Sequence, residues 1–153
     1  KLITTGGSTG DDAKFNKEQK RKLKENNLLD SFEIIPDFEG KEVNDFFKRV
    51  SLVSVPVRIG EAFGMYMIES MASGVPVVQP ALGAFPEIIE ISGGGVTYMP
   101  NTPQKLSETW AELLTNPDKL EELSKKGYEG TNKKFNIHNH AKEIITLYES
   151  LKK

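Results

Sequence analysis

A doubly wound α/β fold, in which helices cover both faces of a parallel sheet, is predicted by three observations. Short β-rich runs recur along the chain, each early run is followed by a segment with helical spacing, and after Pro100 the pattern turns to helices alone. Strand–helix alternation of this kind returns each strand parallel to the last through right-handed crossovers.

The elements follow in order. Lys1-Leu2-Ile3-Thr4-Thr5 reads as a strand ending at Gly6-Gly7, and Asp12 to Leu28 has room for a helix. Phe32-Glu33-Ile34-Ile35 is a second strand, stopped by Pro36, which cannot donate to a ladder, and Lys41 to Arg49 is the next helical segment. Leu52-Val53-Ser54-Val55 ends in the same way at Pro56, and a loop leads to a helix over Gly64 to Ser73. Val75 to Val78 ends near Pro80, Phe85 to Ile91 follows as a helix, and Gly95-Val96-Thr97-Tyr98-Met99 ends at Pro100. Thr102-Pro103 then offers an N-cap and a first-turn proline, with Leu106, Trp110, Leu113 and Leu114 on one helical face. Asn116-Pro117 starts another helix through Leu120 and Leu123, and Gly127 to Asn132 reads as a helix break. A last helix, Ile137 to Leu151, carries an apolar face of Ala141, Ile144, Ile145, Tyr148 and Leu151. The expectation is a Rossmann-like doubly wound sheet of about five strands over residues 1–100, capped by helices over 101–153.

Composition narrows the function classes. A chain of 153 residues, 37% hydrophobic and 27% charged, suits one compact domain. A net charge of −2 gives no basic footprint for nucleic acid, and the lysines interleave with acids, as in Lys17-Glu18-Gln19-Lys20-Arg21-Lys22. Without cysteine there is no disulfide framework, thiolate nucleophile or Cys-type zinc site. No apolar run reaches the ~18 residues of a membrane span and no signal pattern opens the chain, so the expected location is cytoplasmic. The immediate apolar run after Lys1, without an initiator Met, suggests a fragment.

The richest stretch runs from Pro56 to Val78. It sets Glu61 and Glu69 eight positions apart around a Gly-marked helix entry, Phe63-Gly64-Met65-Tyr66, between two apolar runs. In open parallel sheets ligands bind beyond the carboxyl ends of the strands, where helix N-termini present free amides to anions. Gly64 lets the backbone approach a ligand, and the amides of Gly64, Met65 and Tyr66 would face a phosphate. Glu69, one to two turns in, can accept from a vicinal diol such as a ribose, and Glu61 can reach a second polyol beyond the phosphates. The ligand this geometry suits is a nucleotide diphosphate sugar. Two glutamates near a helix start also serve as macrodipole partners or surface charges, but Phe63-Gly64, Arg58 and the exit Gly74-Val75-Pro76-Val77-Val78 form a longer signature than a cap needs.

That signature resembles the Glu-(seven residues)-Glu motif of glycosyltransferase family 4, a group of retaining enzymes with the two-domain GT-B fold. The similarity continues through Gly83-Ala84-Phe85-Pro86-Glu87-Ile88-Ile89 and Gly93-Gly94-Gly95, and upstream through Phe38-Glu39-Gly40. It covers nearly the whole chain and implies half of a GT-B fold, the C-terminal nucleotide-sugar-binding domain, here N-terminally truncated. The resemblance implies that Glu61, the catalytic candidate, contacts the donor sugar near the reacting carbon. It implies that the backbone of Phe63, Gly64, Met65 and Tyr66 follows the sugar and diphosphate, and that Glu69 holds the ribose. The turn Gly40-Lys41-Glu42 would meet the base, and Gly6-Gly7 would line the cleft floor. Transfer would then need charge stabilisation on the departing diphosphate and an oxocarbenium-like sugar held against the acceptor.

The resemblance also implies missing parts. The family's diphosphate-binding Arg and Lys come from a segment ahead of this chain's first strand, and the acceptor domain lies further N-terminal. The chain alone is therefore expected to transfer no sugar and to pair with that missing domain. Arg58 is the nearest cation to the motif, with a structural ion pair as its better reading. No metal or other cofactor is expected. Base, sugar, acceptor and any peripheral contact of the parent with a membrane stay open.

Other motifs carry less. His138-Asn139-His140 places two imidazoles on diverging helix faces without an acidic cluster. Gly6-Gly7-Ser8-Thr9-Gly10 lacks the Gly-Lys-Ser/Thr ending of a P-loop, and no Gly-x-Ser-x-Gly elbow surrounds Ser54, Ser70 or Ser73. Met65, Met67, Met71, Phe46, Phe47 and Trp110 read as packing residues. A GT-B-like epimerase or phosphorylase, or a non-catalytic flavodoxin-like interaction module, are the alternative functions that share the fold.

Overall fold

A computed structural model describes residues 1–6, 10–35 and 41–152, the side chain of Lys41 excepted. The chain divides into two compact units, Lys1–Phe46 and Phe47–Lys153. The first holds β1 (Leu2–Thr5), α1 (Asp12–Glu25), a single 3-10 turn, β2 (Phe32–Ile35) and α2 (Lys41–Phe47), whose last residue belongs to the second unit. β1 and β2 run parallel, from Leu2 opposite Phe32 to Thr5 opposite Ile35. α1 stops short of the expected Leu28. Asn27 adopts φ 57°, the Leu28 amide donates to the Leu23 carbonyl at 2.8 Å, and the Asn27 amide donates to the Lys24 carbonyl at 3.1 Å, a left-handed closure that asparagine tolerates.

The second unit holds α3 (Met65–Ala72), β3 (Val77–Pro80), α4 (Phe85–Ser92), β4 (Gly95–Tyr98), α5 (Pro103–Leu114), α6 (Pro117–Lys134) and α7 (Ile137–Leu151). β3 pairs in parallel with β4, and on its other side meets Val53 through a single parallel bridge to Val77. Adjacent residues of a strand face opposite ways, and β3 shows the consequence. Val77 joins Met67, Met71, Phe85, Ile88 and Ile89, from α3 and α4, while Val78 joins Tyr98, Leu113 and Leu123, with Leu106, Trp110 and Leu120 against them. Helices therefore line both faces, as a doubly wound sheet requires.

Four further expectations change in the second unit. β3 begins at Val77 rather than Val75, because the amides of Gly74 and Val75 close α3 on the Met71 and Ser70 carbonyls at 2.9 Å. Leu52-Val53-Ser54-Val55 is reduced to the Val53 bridge. Beyond it the buried Gln79 carboxamide replaces the ladder, accepting from the Val55 amide at 3.3 Å and, with its nitrogen turned to the Val55 carbonyl, donating at 2.9 Å.

The expected break at Gly127 to Asn132 is absent, since α6 runs unbroken to Lys134. Its glycines serve close packing instead. A Cβ on Gly127 would stand 2.8 Å from Gly94 Cα, and one on Gly130 would overlap the Ser92 carbonyl oxygen. Finally, α7 has no buried residue, so its apolar face caps nothing among the described residues; Ile144, Ile145, Tyr148 and Leu151 are all more than half exposed. Periodicity predicts an apolar face but does not say what covers it.

The expected start of α5 is met. Thr102 is extended at φ −130° and ψ 151°, its hydroxyl accepts from the Lys105 amide at 3.2 Å, and Pro103 fills the first turn. Thr102→Ala is expected to cost about 1 kcal/mol in urea unfolding, whereas Thr102→Ser, which keeps the hydroxyl acceptor, is expected to be close to neutral.

Candidate functional site

The loop from Gly60 to Gly64 hangs from two backbone attachments. The Glu61 carbonyl accepts from the Ala84 amide at 3.1 Å, and Gly60 crosses Gly83 so closely that a Cβ on either would overlap the other loop's backbone. Gly83 also sits at φ 54°, in the left-handed region. These contacts fix Glu61 in front of the turn that opens α4. Gly83 stood in the sequence only as part of a longer resemblance, and a glycine–glycine crossing between separate loops has no local signal.

Phe63 has a second anchor. Its ring meets Phe135 edge-on, with centroids 6.1 Å apart and planes at 73°. Phe135, at the C-cap of α6, packs in turn against the cluster around Phe85. Phe135 has no signature in the sequence that could have singled it out.

Gly64 follows as the N-cap of α3 in left-handed conformation, φ 91° and ψ 67°, and no side chain caps the helix. Free first-turn amides there make a positive, anion-attracting end. The space a Cβ would fill at Gly64 is bounded by Phe85, by Met67 and by the Glu61 carboxylate, whose Oε2 lies 3.5 Å away.

α3 itself divides cleanly: Met67, Ser70 and Met71 are buried, whereas Met65 and Glu69, one turn apart, are exposed. Met65 thus departs from the packing role expected of it. Tyr66 is half-buried, and its phenol is pushed well above the ordinary range by burial first and by the Glu61 charge second. Arg58 is exposed and makes no ion pair among the described residues, so the structural pair expected of it is not found.

The second unit therefore brings together Glu61, Phe63, Gly64, Met65, Tyr66 and Glu69. Gly6 and Glu42 lie in the first unit, Gly6 just after β1 at φ 128° and Glu42 exposed in the first turn of α2, which Lys41 opens. Gly7 and Gly40 fall outside the described residues. Among the described residues no cluster of three or more His, Cys, Asp or Glu could hold a metal ion, and no helix is long and apolar enough to cross a membrane. An uncapped helix end between a loop carboxylate and an exposed helix carboxylate can take an anion flanked by hydroxyl groups.

Comparison with known proteins bears on the family and the fold. A family model described as glycosyl transferases group 1 matches residues 2–130. The chain is 30% identical over 153 residues to a lipopolysaccharide core biosynthesis mannosyltransferase of Rhizobium meliloti, covering 97% of this chain and 42% of that protein. Among solved structures it is similar to the C-terminal domain of a group 1 glycosyl transferase family protein from Francisella tularensis, with a TM-score of 0.77 and 25% identity over 88% of this chain and 69% of that one. It also superposes on Anabaena HepE in complex with UDP-glucose, with a TM-score of 0.81 and 19% identity, covering 97% of this chain and 40% of that chain. The fold is consistent with half of a GT-B fold. With a family model matched over most of its length, the chain belongs to the group 1 glycosyl transferases.

Proposed function

We propose that this chain is the greater part of the donor-binding half of a retaining, family 4 glycosyltransferase, working as part of a longer protein that moves a glycosyl group from a nucleotide sugar to an acceptor. The observation that carries the reading is the uncapped, Gly64-led N-terminus of α3, set between Glu61 and an exposed Glu69. The amides at Gly64, Met65 and Tyr66 take the diphosphate, where developing negative charge on the leaving group meets fixed dipoles. Glu69 accepts from the ribose diol, and Glu61, held by the Gly60–Gly83 crossing, faces the sugar near the reacting carbon. The Phe63 backbone lies along the sugar while its ring anchors the loop on Phe135. The donor-contact roles of Gly6, Gly7, Lys41 and Glu42 rest on the family resemblance alone. The UDP-glucose bound by the Anabaena neighbour supports the ligand class.

The chain spans 42% of the length of its Rhizobium relative, which supports the proposal that acceptor recognition and part of the diphosphate's positive environment come from elsewhere in the whole protein. Turnover of a nucleotide sugar by residues 1–153 alone would overturn that part.

Calorimetric titration with UDP, GDP and their sugars tests the ligand. Binding of a nucleotide sugar is expected, and Glu69→Ala is expected to weaken it about tenfold, the loss of a charged hydrogen bond to a diol. The same substitution should erase most of the preference for a ribonucleotide over its 2′-deoxy form. Equal affinity in the Glu69→Ala protein would remove Glu69 from the site. Binding of a free sugar phosphate in place of a nucleotide sugar would point to a phosphorylase, and no binding to a non-catalytic module.

A further inference from the structure

Tyr66 is the second residue of α3, and its ring packs against the cluster formed by Met67, Met71, Val77 and Phe85. Its hydroxyl has almost no surface open to solvent and no hydrogen-bond partner among the described residues. Buried hydroxyls are nearly always paired, so an orphan at the edge of a site calls for a partner that arrives with the ligand. Burial and the Glu61 charge both hold the proton on the phenol, leaving the group a donor at any working pH.

Glu61 supplies the complementary half. Its carboxylate folds back to within 3.5 Å of the space beside Gly64, at the mouth of the positive helix end. A sugar carried beyond a diphosphate at those amides offers that carboxylate hydroxyl groups that a bare nucleoside diphosphate lacks, so it is the nucleotide sugar that draws Glu61 away from the helix end. In the first turn of α3, two residues past Gly64, Tyr66 carries a hydroxyl with a proton to give and no acceptor among the described residues.

We propose that Tyr66 is a positioning residue, its hydroxyl donating to the Glu61 carboxylate when a nucleotide sugar occupies the site, and holding that carboxylate toward the sugar rather than the phosphates. This rests on the donor-binding reading of Glu61 and α3, and it assigns the side chain of Tyr66 a part separate from that of its backbone amide.

The test is a double-mutant cycle on residues 1–153, titrating UDP-glucose and GDP-mannose alongside UDP and GDP. Tyr66→Phe removes one buried oxygen and is expected to weaken the nucleotide sugar about 5- to 10-fold while leaving the nucleoside diphosphate within about twofold. In a Glu61→Ala background, which leaves no acceptor at that position, the added effect of Tyr66→Phe on the nucleotide sugar should shrink to within about twofold. Equal weakening of both ligand classes would mean that Tyr66 only supports the helix, and would overturn the proposal. So would an unchanged affinity for the nucleotide sugar, or a loss that persists in the Glu61→Ala protein. If the unsubstituted chain binds neither nucleotide sugars nor diphosphates, the donor-binding reading falls first and this assignment with it; if it binds them and only the cycle fails, the reading stands without Tyr66.

Discussion

Gly83→Ala is expected to unfold the second unit at markedly lower urea, by about 3 kcal/mol, and to cost ligand affinity in whatever protein remains folded. Two terms combine. The residue sits at φ 54°, where an L side chain pays about 1–2 kcal/mol. The added Cβ would also stand 2.5 Å from the Glu61 carbonyl oxygen and 2.9 Å from its amide nitrogen. Neither atom is the end of a flexible side chain, so relief requires the loops to separate, which breaks the 3.1 Å bond from the Ala84 amide to the Glu61 carbonyl. Glu61 then loses its fixed position in front of α3. The measurement pairs urea unfolding with nucleotide-sugar titration, and a variant as stable and as tight-binding as the parent would show that the crossing holds nothing. Gly74→Ala is the useful comparison: its φ of 75° carries a similar backbone cost, but its Cβ would meet only the Ser124 hydroxyl at 3.4 Å. It should lose stability without a matching loss of affinity.

What the sequence reveals about this molecule divides by distance along the chain. Phe32–Ile35 and Ile137–Leu151 have the predicted bounds because their signals, a proline stop and a helical stripe, are local. The Glu61–Glu69 motif is legible for the same reason: its loop and helix entry are contiguous in the sequence, so the spacing of Gly64, Tyr66 and Glu69 along α3 can be read locally. Errors enter where a distant group takes over a backbone's partners. Val55 reads as strand, yet the Gln79 carboxamide stands in for the ladder there. The apolar stripe of α7 is visible in the sequence, while its exposure depends on what packs against it. In the site, Gly60 against Gly83 and Phe63 against Phe135 join segments that no local pattern connects.

The Gly127-to-Asn132 stretch turns the same distinction into a difference of sign. If glycine were there to break a helix, Gly130→Ala would be neutral or would gain about 1 kcal/mol from better helix propensity. Within the unbroken α6 the opposite is expected. A Cβ at position 130 would overlap the Ser92 carbonyl oxygen, with the Ser92 carbonyl carbon at 2.7 Å and its Cα at 2.8 Å. Those atoms end α4 just before the left-handed Gly93 and cannot rotate away. α6 would have to lift from the Ser92–Gly94 turn, loosening Met71, which packs beneath Gly94 and Gly127, and with it the seat of α3. Net destabilisation of about 2–3 kcal/mol is expected in urea unfolding after the propensity gain is subtracted. Because α3 carries the anion-binding end, nucleotide-sugar affinity should fall in the same variant although position 130 lies on none of the ligand-facing elements. A stabilised Gly130→Ala protein with unchanged affinity would mean that α6 does not hold α3 in the way these contacts require.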